Sequence, residues 1–282
     1  MDRRTVLLTS LASAALVGSG GTSALAAPKA VLWERWVAHD ATAETEIDHG
    51  TWGEFLKSYL ATGSDGVNRL AYGEVTAEDA AALKGYIEGL AAVPISAYAR
   101  PQQMAYWINL YNALTVQVIL DHYPVDSIRD IDISPGFFSS GPWGKKLVTI
   151  ENETVSLDDI EHQILRPIWK DPRIHYAVNC ASIGCPNLQP APFQASQLDR
   201  QLDQAAIEFV NHLRGVDIRE GRAKTSSIYA WFEEDFGGDD KGVIAHLKAF
   251  AEPDLAMKLE KINRIADHDY DWQLNDLETS TG

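Results

Sequence analysis

Cysteine is scarce in this chain: 282 residues contain two, Cys180 and Cys185. A single C-x4-C pair lacks the two-pair or Cys/His spacing of a zinc site, so no metal is expected. Positive charge is also short. Lys and Arg number 24 against 40 Asp and Glu, for a net charge of −16. Such a surface repels phosphates and argues against nucleic acid; it equally disfavours docking on anionic lipid. Beyond the first residues no apolar run approaches the roughly 20 residues that a membrane span needs. No GxSxG elbow, P-loop or dinucleotide fingerprint occurs, and no cofactor is expected.

What the chain does have begins at its start. Arg3 and Arg4 form a charged front, an apolar stretch from Val6 to Val17 follows, and a Gly/Ser-rich segment ends in Ala24-Leu25-Ala26. That is the layout of a cleaved secretory signal, with the cut expected after Ala26. The arginine pair fits a twin-arginine route, although Asp2 replaces the usual Ser or Thr before it. The mature protein is then expected to be periplasmic or secreted, with no membrane span. Residues 27–49 read as an N-terminal extension, 50–276 as one globular domain and 277–282 as a tail.

Thr51-Trp-Gly-Glu54 has the pattern of a capping box, ahead of a helix carrying Trp52, Phe55, Leu56, Tyr59 and Leu60. Thr76 opens a second helix that Pro94 closes. A third, from about Gln102 to Asp121, is apolar on nearly every face and is expected deep in the core. It carries Asn109 and Asn112, whose buried amides require partners. A loop spans 134–144. A hairpin is expected around Glu151–Glu153, then a helix from about Asp158 to Trp169 capped by Ser156 or Asp158. Ile174 to Asn179 reads as a strand, with His175 and Asn179 on one face. An amphipathic helix over 198–213, a hairpin with Glu220-Gly221 at its tip, a helix over 241–250 and a final strand near 268–276 complete the pattern. Helices outnumber strands, and the strands fall mainly between 145 and 232. The expected class is α+β, an N-terminal helical layer on a mainly antiparallel sheet.

Glu161 falls in the apolar stripe Leu157, Ile160, Ile164, Leu165 and Ile168. A carboxylate there is either a general acid/base or histidine orienter, or a structural partner of Arg166, Arg173 or the asparagines. His175 is either a catalytic base or a core histidine bonded to a carbonyl. His162 and Arg166 fall on the opposite face and read as solvated surface charge. In the run Glu233-Glu234-Asp235, Asp235 is the functional candidate, because Trp231, Phe232 and Phe236 hold it near the core. Cys180 is a nucleophile if its thiol pKa is lowered. The default reading in an oxidising compartment is a Cys180–Cys185 disulfide; a passenger that folds before export weakens it. Five residues of strand would hold His175 and Cys180 roughly 16 Å apart.

The segments AYWINLYNALTV (105–116), SLDDIEHQILR (156–166), DPRIHYAVNCASIGCPNL (171–188), WFEEDF (231–236) and YDWQLN (270–275) resemble, in order, the domain of unknown function 547 family. The resemblance covers roughly 50–275 and is loosely similar to papain-like and transglutaminase-like cysteine hydrolases. That kinship implies a Cys/His/acid site from Cys180 (or Cys185), His175 and Glu161 or Asp235. Asn109, Asn112 or Asn179 would then hold substrate or the oxyanion. The expected function is a cysteine-type hydrolase or acyl-transferase acting on amide or ester bonds. The alternative is a binding domain with a structural disulfide. Its loop Phe137, Phe138 and Trp143 would then contact a partner or glycan, and the ligand would be a small molecule, peptide or glycan.

Overall fold

The computed structural model describes residues 28–136 and 141–277. The expected export signal, and Phe137 and Phe138 of the loop at 134–144, lie outside these residues. The fold is mixed α/β, with helices around two apolar cores and strands in small, mostly antiparallel sheets.

The first helix, α1 (Gly50–Tyr59), starts one residue before Thr51. Thr51 therefore does not cap it; the Asp48 carboxylate accepts from the Gly50 amide at 2.8 Å instead. The helix stops at Tyr59 because Leu60 turns extended. Strands β1 (Leu60–Thr62) and β2 (Asn68–Leu70) pair antiparallel across the turn at Gly63–Gly66, a hairpin that the helical reading of Leu60 overlooked. Helix α2 (Ala77–Ala91) begins as expected, with Thr76 Oγ1 accepting from the Asp79 amide. Helix α3 (Arg100–His122) is buried on almost every face from Gln103 to Ile119. It forms the axis of the larger core, which also holds Trp52, Leu56, Leu83, Ile160 and Ile164.

Strands β3 (Val148–Ile150) and β4 (Glu153–Val155) form the expected hairpin. Ser156 then caps the next helix: its Oγ accepts from the Asp159 amide and its amide donates to the Asp159 carboxylate. The helix that follows has a wide turn over Asp159–Leu165 and continues as α4 (Arg166–Trp169). In the wide turn the Arg166 amide reaches back five residues, to the Glu161 carbonyl. Pro167 has no amide hydrogen, so carbonyls one turn earlier lose a donor. The extended chain of 28–33 supplies donors: Val31 N–H bonds the His162 carbonyl at 2.9 Å and Trp33 N–H the Gln163 carbonyl at 3.0 Å. Residues of the expected 27–49 extension are thus packed on the domain, and Trp36 is buried in the main core.

The stretch expected as a strand from Ile174 to Asn179 is instead a helical turn, α5 (Ile174–Ala177), extended only from Val178. The Asp171 carboxylate accepts from the Arg173 amide, and the Ile174 and His175 amides donate back to Asp171 and Pro172 carbonyls. This local turn overrides the period-2 pattern, so His175 and Asn179 do not share a strand face. Helix α6 (Leu198–Val210) ends earlier than expected, leaving Leu213 68% exposed and off its apolar stripe. Strands β5 (Val216–Arg219) and β6 (Arg222–Ser226) turn at Glu220 and Gly221, both at positive φ, as a tight hairpin demands. The chain continues through α7 (Ile228–Trp231), α8 (Asp240–Phe250) and α9 (Pro253–Leu259) to β7 (Ile265–Asp269), which pairs parallel to β6. With β1 and β2 outside 145–232, strands are more dispersed than the pattern suggested, and the final strand ends at Asp269 rather than running on to 276. Phe209, Val210, Tyr229, Phe236 and Leu247 form the second core.

Among the described residues no helix is long and apolar enough to cross a membrane.

Candidate functional site

Two polar clusters lie beside α3. The first is buried and charged. The wide turn of the helix over Asp159–Leu165 shifts the helical register, so Glu161, His162 and Arg166 all face inward and are only 5–7% exposed. The surface placement expected for His162 and Arg166 fails for this reason. His175 Nε2 lies 2.7 Å from Asp235 Oδ2, and its Nδ1 lies 3.6 Å from Glu161 Oε1. Arg166 Nε donates to the same Asp235 oxygen at 2.5 Å. The Arg166 guanidinium also contacts His162 Nδ1 at 3.1 Å and the Pro28 carbonyl at 2.8 Å. Phe232 stacks on the His175 ring at 4.1 Å, and the Arg166 guanidinium lies over the Phe232 ring at 4.8 Å. Tyr111 OH donates to Glu161 Oε2 at 3.2 Å. His162 Nδ1 lies 3.9 Å from Glu161 Oε1, so Glu161 is partnered by two histidines and a tyrosine rather than by Asn109 or Asn112.

Burial alone would neutralise Glu161, Asp235 and His175, but their mutual attraction wins. Desolvation pushes the Glu161 carboxyl up, yet the charges of His162, His175 and Arg166 and a His175 hydrogen bond bring it down to about 2. Asp235, also opposed by burial, is brought to about 2 by His175 and Arg166. Burial opposes charging of His175, but hydrogen bonds to Asp235 and Glu161 outweigh it and raise its pKa. Burial keeps His162 below its ordinary range. Asp158, half-buried near Glu161 and Asp159, is raised to about 6, first by desolvation and then by those two carboxylates.

The acid limb follows from two depressed carboxylates. Their stabilisation is complete above their ordinary values of 4.5 for Glu161 and 3.8 for Asp235, and is lost as pH falls towards about 2. Asp158, raised from 3.8, has the opposite sign and loses stability as pH rises to about 6. His175 contributes fully below 6.5 and loses its contribution as pH rises through its raised value. Melting temperature measured against pH is expected to fall steeply below pH 4.5 in the native chain, and less so in Glu161→Gln. An unchanged melting temperature from pH 4.5 to 2 would contradict the assigned partners.

The second cluster surrounds Cys180, a half-buried thiol on the loop after α5. The loop is held by asparagines. Asn112 Oδ1 accepts from the Asn179 amide at 2.8 Å while its Nδ2 donates to the Ala177 carbonyl at 2.9 Å. Asn179 bonds the Ala181 amide and the Pro186 carbonyl, each at 2.8 Å. Asn109 bonds both backbone groups of Phe193. All three side chains are thus engaged with backbone. They let Ala181 hold a left-handed φ of 55° and so bend the loop.

The tail closes the site from the other side. Ile183 N–H donates to the Gln273 carbonyl, and Gly184 N–H to the Asp271 carbonyl, both at 2.8 Å. A Cβ at Gly184 would come within 2.7 Å of the Asp271 backbone nitrogen, so only glycine permits this approach. The pairing brings Tyr270 OH to 2.9 Å from Cys180 Sγ and 2.9 Å from Ser182 Oγ. Ser182 Oγ lies 3.3 Å from Cys180 Sγ, and Cys185 Sγ lies 3.1 Å from it. Both cysteines are thiols in this structure. The Cys180 amide donates to Cys185 Sγ at 3.1 Å. The Cys185 hydrogen bond draws the Cys180 pKa down, against burial and with help from Ser182 and Tyr270. Burial and the neighbouring sulfur push Cys185 well up. Half-buried Trp231, Trp272 and Trp143 continue from Tyr270: the Trp231 and Trp272 rings lie 4.8 and 4.6 Å from it, and Trp143 lies 5.8 Å from Trp272.

The structure joins His175 to Glu161 and Asp235, but Cys180 bonds Cys185, Ser182 and Tyr270 instead. Tyr270 and Ser182 escaped the sequence reading. Their signal was faint: a tyrosine in a polar tail, 90 residues from the thiol. A surface cleft of about 580 Å³ lies between Trp169, Arg173 and Leu198, and none of its lining residues belongs to either cluster. Among the described residues no group of three or more His, Cys, Asp or Glu side chains is placed to hold a metal.

Fold and site thus define a mixed α/β domain with a buried carboxylate–histidine–arginine network and an adjoining dithiol loop. Residues 95–210, which include α3, both cysteines and α6, match the model of a family described as protein of unknown function, DUF547. Asp235 and Tyr270, with the segments 231–236 and 270–275, fall beyond that match. No curated protein and no solved structure matches the chain, so the kinship to papain-like hydrolases has no support from them.

Proposed function

We propose that Cys180 is the nucleophile of an exported hydrolase or acyl-transferase acting on amide or ester bonds. The carrying observation is the half-buried thiol ringed by three hydrogen-bonding groups, Cys185, Tyr270 and Ser182. Such donors favour the thiolate. The thiolate attacks the carbonyl carbon, and the bond to the leaving group breaks as that group takes a proton from the Tyr270 hydroxyl, which burial keeps protonated beside Cys180 and Ser182. Water or an acceptor then attacks the Cys180 thioester, returns a proton to Tyr270 and releases the thiolate. Both ring nitrogens of His175 face carboxylates, so in this reading it positions α5 and the loop that follows rather than shuttling protons. Trp231, Trp272 and Trp143 offer flat apolar contact to the substrate beside the thiol. Asn109, Asn112 and Asn179 hold the loop in shape. Export through residues 1–26 belongs to the same proposal and rests on the charged front, apolar stretch and Ala24–Ala26 end.

Reduced protein mixed with p-nitrophenyl acetate tests the nucleophile. The expected result is a burst of about one equivalent of p-nitrophenolate, with the acetyl group on Cys180 and no burst in Cys180→Ala. Acetylation confined to lysines, or no burst, would overturn the reading. The second reading is a binding domain in which Cys180 and Cys185 are bridged. It is favoured by the proximity of the two sulfurs and would show as thiols that no mild reductant frees.

A further inference from the structure

The two sulfurs differ in ways that a hydrolase alone does not need. Cys180 is half-buried and faces Tyr270 and Ser182. Cys185 is 4% exposed, so a molecule in solution reaches it poorly. Its sulfur nevertheless sits 3.1 Å from Cys180 Sγ, already at attacking distance. The loop between them is fixed at both ends, by Asn179 to Pro186 and Ala181, and by Gly184 against the tail. The loop therefore holds the two sulfurs side by side.

We infer that Cys180 and Cys185 form a two-thiol exchange centre that reduces small or peptide disulfides. The inference rests on the nucleophilic Cys180 of the preceding section but requires no carbonyl substrate. Cys180 thiolate attacks one sulfur of a disulfide R–S–S–R′. A bond forms between Cys180 and RS, and R′S⁻ leaves and takes up a proton. Cys185 sulfur then attacks Cys180 Sγ, its proton passing to the departing RS⁻. The products are a Cys180–Cys185 disulfide and two thiols; the chain has lost two electrons and two protons to the substrate. The order is set by access and by acidity. The more exposed cysteine is also the one that its neighbours favour as thiolate, and the buried one resolves the mixed disulfide.

The test uses reduced full-length protein and oxidised glutathione. Samples are quenched with N-ethylmaleimide, and the peptide spanning both cysteines is weighed. The native chain is expected to lose two hydrogens and carry no glutathione. Reduced glutathione in excess should return it to the dithiol. Cys185→Ser should instead accumulate glutathione on Cys180. Glutathione that stays on native Cys180 would overturn the inference, because Cys185 would then not resolve it. A bridge that excess reduced glutathione cannot open would overturn it too, as would no reaction at either thiol. The native chain alone decides these outcomes, should the variant fail to fold. Exchange without acetylation by p-nitrophenyl acetate would keep this inference and remove the acyl-transfer reading; acetylation without exchange would do the reverse.

Discussion

Replacing Arg166 by Met is expected to destabilise the domain by about 3–5 kcal/mol, the usual cost of stripping one partner from a buried ion pair. Arg166 is 5% exposed and binds Asp235, His162 and the Pro28 carbonyl while packing on Phe232. With His175 protonated, Glu161 and Asp235 are balanced by His175 and Arg166. Met has a similar length and fills much of the space, so the loss is mostly electrostatic. One negative charge is left without its counterion, and Asp235, with its side chain 23% exposed, is only partly compensated by water. The double variant Arg166→Met/Asp235→Asn should recover much of the loss, because the uncompensated carboxylate is gone. Urea unfolding of Arg166→Met, Asp235→Asn and the double variant measures the coupling. A cost below about 1 kcal/mol for Arg166→Met would place the pair among ordinary surface bridges and contradict the network.

That network was half legible in the sequence. Glu161 stood out because a carboxylate interrupted an apolar stripe, and His175 because it lay in a segment too apolar to be surface. Asp235 was marked by the aromatics around it. Arg166 and His162 were assigned to solvent because ideal helical spacing places them opposite Glu161. The wide turn at Asp159–Leu165 breaks that spacing. Its cue was Pro167, which cannot donate to the preceding turn, but a proline alone does not say where the missing donor comes from. The donors are the Val31 and Trp33 amides, remote in sequence.

The helices were read well wherever period and cap agreed, as at Thr76 and along α3. Errors came where a local turn competed with a pattern. Ile174–Asn179 alternates like a strand, yet Asp171 and Pro172 begin a helical turn that carries His175 with it. This removes the strand spacing on which the separation of His175 and Cys180 had been reckoned, although the thiol still bonds other groups. The Asn109 and Asn112 requirement for partners was met by backbone of the loop 177–193. The tail's role was the least legible. Tyr270 reaches Cys180 only because Gly184 lets two backbones touch, and nothing local to either segment announces the pairing.

The largest effect on chemistry is expected at Cys180 and its hydroxyl neighbours. A hydrogen bond to a charged group is worth about 1.5–3 kcal/mol, and one pKa unit corresponds to about 1.4 kcal/mol. Tyr270→Phe removes such a donor from the thiolate at 2.9 Å. It should move the midpoint of Cys180 alkylation upward by about 1–2 pH units. Cys180→Ala should abolish alkylation in the native fold, since Cys185 is buried and its pKa is pushed well up. The most direct measurement is the rate of iodoacetamide labelling at each cysteine across a pH series, read by mass spectrometry on the folded, reduced protein. Cys180 is predicted to label first, with a midpoint below the ordinary thiol value of about 8.5, while Cys185 stays unlabelled. Equal labelling of both cysteines at or above that value, or none at all, would contradict a nucleophilic Cys180.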